Sequence, residues 1–134
     1  MQEHADIIFA NDAFYLAFET KDFDAMDGLW AQDSPIACTH PGWPSLSGRD
    51  QVMQSWAAIL SNPDAQSVTC RGAKAFRLGE AGFVTCYEVI GDSLLAATNL
   101  FIRENDAWKL VHHQAGPCNA PPSELPEEEE NRLQ

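Results

Sequence analysis

The stretch from Gln66 to Pro117 most limits what this chain can fold into. Short runs rich in β-branched and aromatic residues are separated there by turn residues at Leu78-Gly79-Glu80-Ala81-Gly82, at Gly91-Asp92 and at Glu104-Asn105-Asp106. Connections this short join antiparallel neighbours, because a parallel return needs a crossover of about a dozen residues or more. The pattern predicts four strands in series, about Ser67 to Arg77, Phe83 to Ile90, Leu94 to Arg103 and Ala107 to Ala115, with Ile36 to Thr39 as a short edge strand.

Ahead of the strands the period changes. Ile7, Ile8, Phe14, Tyr15 and Phe18 recur at helical spacing up to Lys21. After Asp22, a plausible N-cap, Phe23, Met26, Leu29 and Trp30 predict a second, short helix that Pro35 closes. Ser47-Gly48-Arg49-Asp50 has the spacing of a capping box and opens a third helix, whose buried stripe is Val52, Met53, Trp56, Ile59 and Leu60, ended by Asn62-Pro63-Asp64. Helices followed by a strand meander predict an α+β fold with helices on one face of a curved antiparallel sheet.

The turns also set faces. Centring the second hairpin on Gly91-Asp92 pairs Glu88 with Leu95 and Val84 with Asn99, and centring the third on Asn105-Asp106 pairs Asn99 with His112 and Ala97 with Gln114. One face then carries Val84, Cys86, Glu88, Leu95, Ala97, Asn99, Phe101, Trp108, Leu110, His112 and Gln114, apolar at one end and polar at the other, as a pocket floor is. An ordinary satisfied polar network at a sheet rim has the same pattern. With the first hairpin centred near Glu80-Ala81, Cys86 lies opposite Ala75, which does not favour a Cys70–Cys86 bridge.

At 134 residues the chain is expected to form one domain, residues 1–118, followed by an acidic tail from 119 to 134 that carries Glu127-Glu128-Glu129-Glu130. The net charge of -12 gives no basic footprint for nucleic acid or an anionic membrane surface. The first residues, MQEHADII, lack a secretory pattern and no apolar run approaches a membrane span, so a cytoplasmic location is expected. Cys38, Cys70, Cys86 and Cys118 form no C-x-x-C and read as reduced thiols. His112 and His113, adjacent on a strand, point to opposite faces and do not share a metal. Neither a metal nor a cofactor is expected.

The helix-then-meander layout, together with D-F-D-A-M-D-G-L-W-A-Q-D at 22–33, Gly48-Arg49 and W-K-L-V-H-H-Q-A-G-P at 108–117, resembles the SnoaL-like branch of the nuclear transport factor 2-like superfamily. The resemblance implies a cone-shaped barrel of curved sheet around the three helices, with a pocket between them. It also implies homodimers through the outer sheet face, where Tyr87, Val89, Leu100 and Ile102 would lie. Relatives include ketosteroid isomerases, polyketide cyclases, dehydratases, epoxide hydrolases and non-catalytic transport and kinase-association domains, so fold alone selects no activity. In the isomerases an Asp base moves the proton while a Tyr and a protonated Asp hold the oxyanion. Here the tyrosine's position falls on Phe14 and the acid's on His40-Pro41, a departure from that pattern.

Three functions follow as expectations. The first is a small-molecule-binding domain, its ligand apolar or carboxylate-bearing and enclosed by Trp30, Trp43, Trp56, Glu88, Asn99 and Gln114. The second is an enzyme of the cyclase, isomerase or hydrolase type with His40 as general acid or base and His112 beside it. The third is a non-catalytic dimerisation module.

Overall fold

A computed structural model describes residues 4–119; the acidic tail beyond them lies outside the described residues. Helices α1 (Ala5–Glu19) and α2 (Phe23–Leu29) lead to strands β1 (Ala37–Thr39) and β2 (Leu46–Ser47), helix α3 (Arg49–Ser61), and strands β3 (Val68–Leu78), β4 (Ala81–Ile90), β5 (Ser93–Glu104) and β6 (Ala107–Pro117). The α+β expectation holds, with a curved, unclosed six-stranded sheet in the order β2-β1-β6-β5-β4-β3. Two details differ from the sequence reading. Leu46–Ser47 adds a sixth strand, and β1 joins the sheet parallel to β6, through Ala37 opposite His112 and Thr39 opposite Gln114.

Local chemistry fixes the helix ends. Lys21 takes the left-handed conformation, φ 57°, so that its N–H reaches Phe18 O and the Asp22 N–H reaches Ala17 O, a Schellman stop for α1. Asp22 then caps α2 by accepting the Ala25 N–H at 3.1 Å, as expected. The capping box at Ser47 is not formed. Gly48 is the N-cap of α3 at φ 86°, while the Ser47 N–H donates to Gln51 Oε1 at 3.0 Å, because Ser47 is already pairing with Ala37 in the sheet. Arg49 binds the end of α2 to α3 by donating to Trp30 O, Ala31 O and Asp27 O and pairing with the Asp27 carboxylate at 2.6 Å.

The helices pack on the concave face, with Phe14, Met26, Trp30, Trp56, Val84, Phe101 and Leu110 fully buried between the layers. Gly82 lets α1 approach the sheet closely, since a Cβ there would meet Ile7 Cδ1 at 2.7 Å. The β4–β5 register is the expected one throughout. The β5–β6 register is as expected from the turn to Phe101–Leu110 and then shifts by one residue, so that Asn99 lies opposite His113 and not His112. The β3–β4 turn is tighter than expected, pairing Leu78 with Ala81, and an irregularity between Arg71 and Lys74 sets Cys70 opposite Glu88. None of the four cysteines is in a disulfide.

Candidate functional site

Beneath α1 and α3 the sheet carries a buried polar chain in which most donors are assignable. The Asn99 amide donates to Asn11 Oδ1 at 2.9 Å and to the Tyr15 hydroxyl at 3.2 Å. Its carbonyl oxygen therefore faces His113 Nδ1, 2.6 Å away, and that nitrogen must carry the proton. Tyr15 donates onward to Glu88 Oε2 at 2.6 Å, and its oxygen also lies 3.3 Å from Cys86 Sγ. Asn11 closes the other end on Cys70 Sγ at 3.7 Å.

Glu88 is only 1% exposed, and burial raises its carboxyl to about 6 against the opposing hydrogen bond from Tyr15. Burial also raises the Tyr15 phenol well above its ordinary range. His113 Nε2 faces Glu88 Oε2 at 3.8 Å, beyond hydrogen-bond reach. The contact is an ion pair only when the ring is charged, and burial, helped by the neighbouring His40 and His112, lowers His113 to about 3. A neutral imidazole thus stands beside a carboxylate at neutral pH.

His40 occupies a second buried position, 6.2 Å from His113 by ring centroids and across the Trp56 indole. The Ser55 hydroxyl is committed to Val52 O at 2.6 Å, so Ser55 Oγ accepts from His40 Nε2 at 2.9 Å. Desolvation lowers His40 to about 4 and, with the nearby Glu88 charge, raises the Cys38 thiol to about 12. Trp43 covers this end, 42% exposed, with its ring 4.9 Å from that of His40.

The structure brings together Trp56, Glu88, Asn99 and His40 of the expected residues, and Trp30 joins the same core. It moves His112 and Gln114. The one-residue shift beyond Phe101 turns both to the opposite face, where His112 Nδ1 donates to Ala37 O at 3.2 Å and Gln114 is exposed; His113 takes the inward place. Sequence reasoning missed Asn11, Tyr15 and Ser55. Each had a signal: Asn11 and Tyr15 stand four residues apart on the apolar face of α1, and Ser55 falls inside the buried stripe of α3. Phe14, expected at a catalytic tyrosine's place, packs against His113 at 5.0 Å while Tyr15 supplies the hydroxyl. Among the described residues no group of three or more His, Cys, Asp or Glu is placed to hold a metal ion, and no helix is long and apolar enough to cross a membrane.

With this geometry in place, the chain can be compared with known proteins. The profile of the SnoaL-like domain family matches residues 7–118. The chain belongs to that family, within the nuclear transport factor 2-like superfamily. It is similar to a candidate dehydratase of the latter from Streptomyces avermitilis, at 34% identity and TM-score 0.77 over 87% of this chain and 96% of the other. It is also similar to a candidate calcium/calmodulin-dependent protein kinase type II association domain from Thiobacillus denitrificans, at 33% identity and TM-score 0.71 over 82% and 93% of the two chains. The F-box protein SKIP8 of Arabidopsis thaliana is 25% identical over 111 residues, 81% of this chain, and the chain spans 48% of that relative's length.

Proposed function

We propose that this SnoaL-like domain binds a small, largely apolar molecule between α1, α3 and the sheet. The ligand is oriented by Tyr15, Glu88, Asn99 and His113 and walled by Trp30, Trp56 and the Trp43 side of the interior. The observation that carries this reading is a pair of unpartnered donors: the indole N–H groups of Trp30 and Trp56 are buried without a hydrogen-bond partner, Trp56 beside His113 of the polar chain and Trp30 in the same core. Each such orphan costs about 1–3 kcal/mol, a penalty that a ligand acceptor relieves. The experiment is a nuclear magnetic resonance screen of a metabolite panel on indole-labelled protein. Binding shifts the Trp30 or Trp56 indole signals, and a panel that moves neither removes the reading.

A catalytic reading moves from His40 to Glu88. A carboxyl near 6, hydrogen-bonded by Tyr15, is poised to exchange a proton near neutral pH, whereas His40 has its proton committed to Ser55. The name of the Streptomyces relative, a dehydratase, favours this version, and loss of turnover in Glu88→Gln at saturating substrate is its test. For the outer sheet face, where Tyr87, Val89, Leu100 and Ile102 are half-buried, we propose pairing with a second copy, in line with the association domain among its neighbours. Sedimentation as a monomer at micromolar concentration removes that pairing.

A further inference from the structure

The inner face of the site holds two acceptors without a donor between them. His113 spends its proton on Asn99, so Nε2 presents a lone pair; Glu88 Oε2 receives the Tyr15 proton and presents the rest of a carboxylate charge 3.8 Å away. The ion pairs of Arg49, Arg77 and Arg103 are made with Asp27, Glu80 and Asp106, not with Glu88. A buried carboxylate of this kind is costly unless a cation or donor meets it. One nitrogen placed about 2.9 Å from each acceptor spans the gap and donates to both. The surroundings suit a positive charge on that nitrogen: the rings of Phe14, Tyr15, Phe18 and Trp56 pack against one another beside the acceptors, and the chain as a whole carries -12.

We propose that the ligand of this interior is a small protonated amine, with its ammonium group seated between Glu88 Oε2 and His113 Nε2 and its apolar body against Phe14, Phe18 and Trp56. The proposal rests on the binding reading above and narrows its ligand, since a carboxylate would meet the like charge of Glu88. On this proposal Phe18 is the side chain that moves to admit the ligand. That half-buried ring lines a surface hollow of about 120 Å³ shared with Glu19, Leu60 and Ser67, and on its inner side it packs 5.1 Å from Trp56 and 6.5 Å from Tyr15.

Calorimetry on the full chain with benzylamine, benzyl alcohol and benzoate, at about pH 7.5 where Glu88 is ionised, separates the head groups on one common ring. Benzylamine is expected to bind at least about tenfold more tightly than benzyl alcohol, as a close charge pair in a desolvated site supports, with benzoate weakest. Glu88→Gln, which keeps the side chain's shape and its acceptor for Tyr15, is expected to bring amine and alcohol to within about twofold. The ranking on the unaltered chain decides the matter even where that variant folds poorly. Equal binding of amine and alcohol, tighter binding of benzoate, or an amine preference that survives Glu88→Gln overturns the amine while leaving a binding interior. Binding by none of the three overturns the amine, and the binding reading is then decided by the indole screen alone.

Discussion

His113 and His40 lie 6.2 Å apart among the same aromatic rings, yet the fold gives them different surroundings. Both are buried, and burial holds both imidazoles neutral. His40 sits in a local circuit: its Nε2 donates to Ser55, whose hydroxyl donates to the main chain of the same helix, and the protonated Cys38 thiol lies beside the ring, 3.6 Å from Nε2 and 3.9 Å from Nδ1. His113 ends a longer chain drawn from α1, β4 and β5, and its spare nitrogen faces a carboxylate. Burial alone therefore does not mark a functional histidine. What distinguishes His113 is the carboxylate facing its spare nitrogen, and on the reading proposed above the ligand meets the Glu88 end of the interior while His40 serves the packing.

Trp56 is the wall the two regions share, 4.8 Å from His40 and 5.9 Å from His113 by ring centroids. Removing it in Trp56→Ala erases the distinction and is expected to cost about 3–5 kcal/mol in urea unfolding, the range for a fully buried aromatic. A cost below about 1 kcal/mol would mean that the indole, with its unpartnered N–H, is not packed as described. Asn99→Leu acts on one side only. It leaves His113 Nδ1–H without its acceptor and Asn11 Oδ1 without its donor, for an expected loss of about 2–4 kcal/mol. The His40 imidazole resonances should stay in place, and their movement would show that the two circuits are coupled.

Acid tests the same comparison through charge. Both imidazoles bind protons more readily in the unfolded chain, near 6.5, than in the fold, at about 4 and about 3, so their contribution is complete above 6.5 and is lost as pH falls. Glu88 works the other way: its carboxyl is raised from 4.5 to about 6, so the fold gains stability as pH falls through that interval. Between about pH 7.5 and 5 the histidine losses exceed the Glu88 gain, and the net fall is expected to be about 2–3 kcal/mol. Denaturant titrations across that window check it. Replacing either histidine by Gln should flatten the slope and Glu88→Gln should steepen it; a slope insensitive to Glu88→Gln would place that carboxylate in water.

Much of this was legible in the sequence, and the failures have local causes. Gly91-Asp92 fixes the β4–β5 register, so Glu88 and Asn99 were correctly placed on the inner face. The Asn105-Asp106 turn, both residues at positive φ, fixes β5–β6 only as far as Leu110. Beyond it the one-residue irregularity exchanges His112 for His113, and alternation cannot report an inserted residue because nothing in V-H-H-Q marks it. Tyr15 was passed over for Phe14 because a count from the Lys21-Asp22 turn is uncertain by one position and both side chains are buried. The capping box failed for a different reason: a two-residue strand claimed Ser47, and the need for that strand appears only once β1 has docked on β6.

The mildest perturbation is the sharpest test of whether the His40 circuit is only architecture. Ser55→Ala removes the oxygen that accepts from His40 Nε2 and leaves Cys38 Sγ, 3.6 Å away, as a weak substitute acceptor. The loss should be about 1 kcal/mol, smaller than for Asn99→Leu, because a single bond at one end of a local circuit is broken and no carboxylate is left exposed to an unsatisfied neighbour. The pH slope attributed to Glu88 should be unchanged, since Ser55 makes no contact in the Tyr15–Glu88–Asn99–His113 chain. If Ser55→Ala destabilises as much as Asn99→Leu and alters that slope, the two histidines belong to one network. The assignment of chemistry to the Glu88 end alone would then fail.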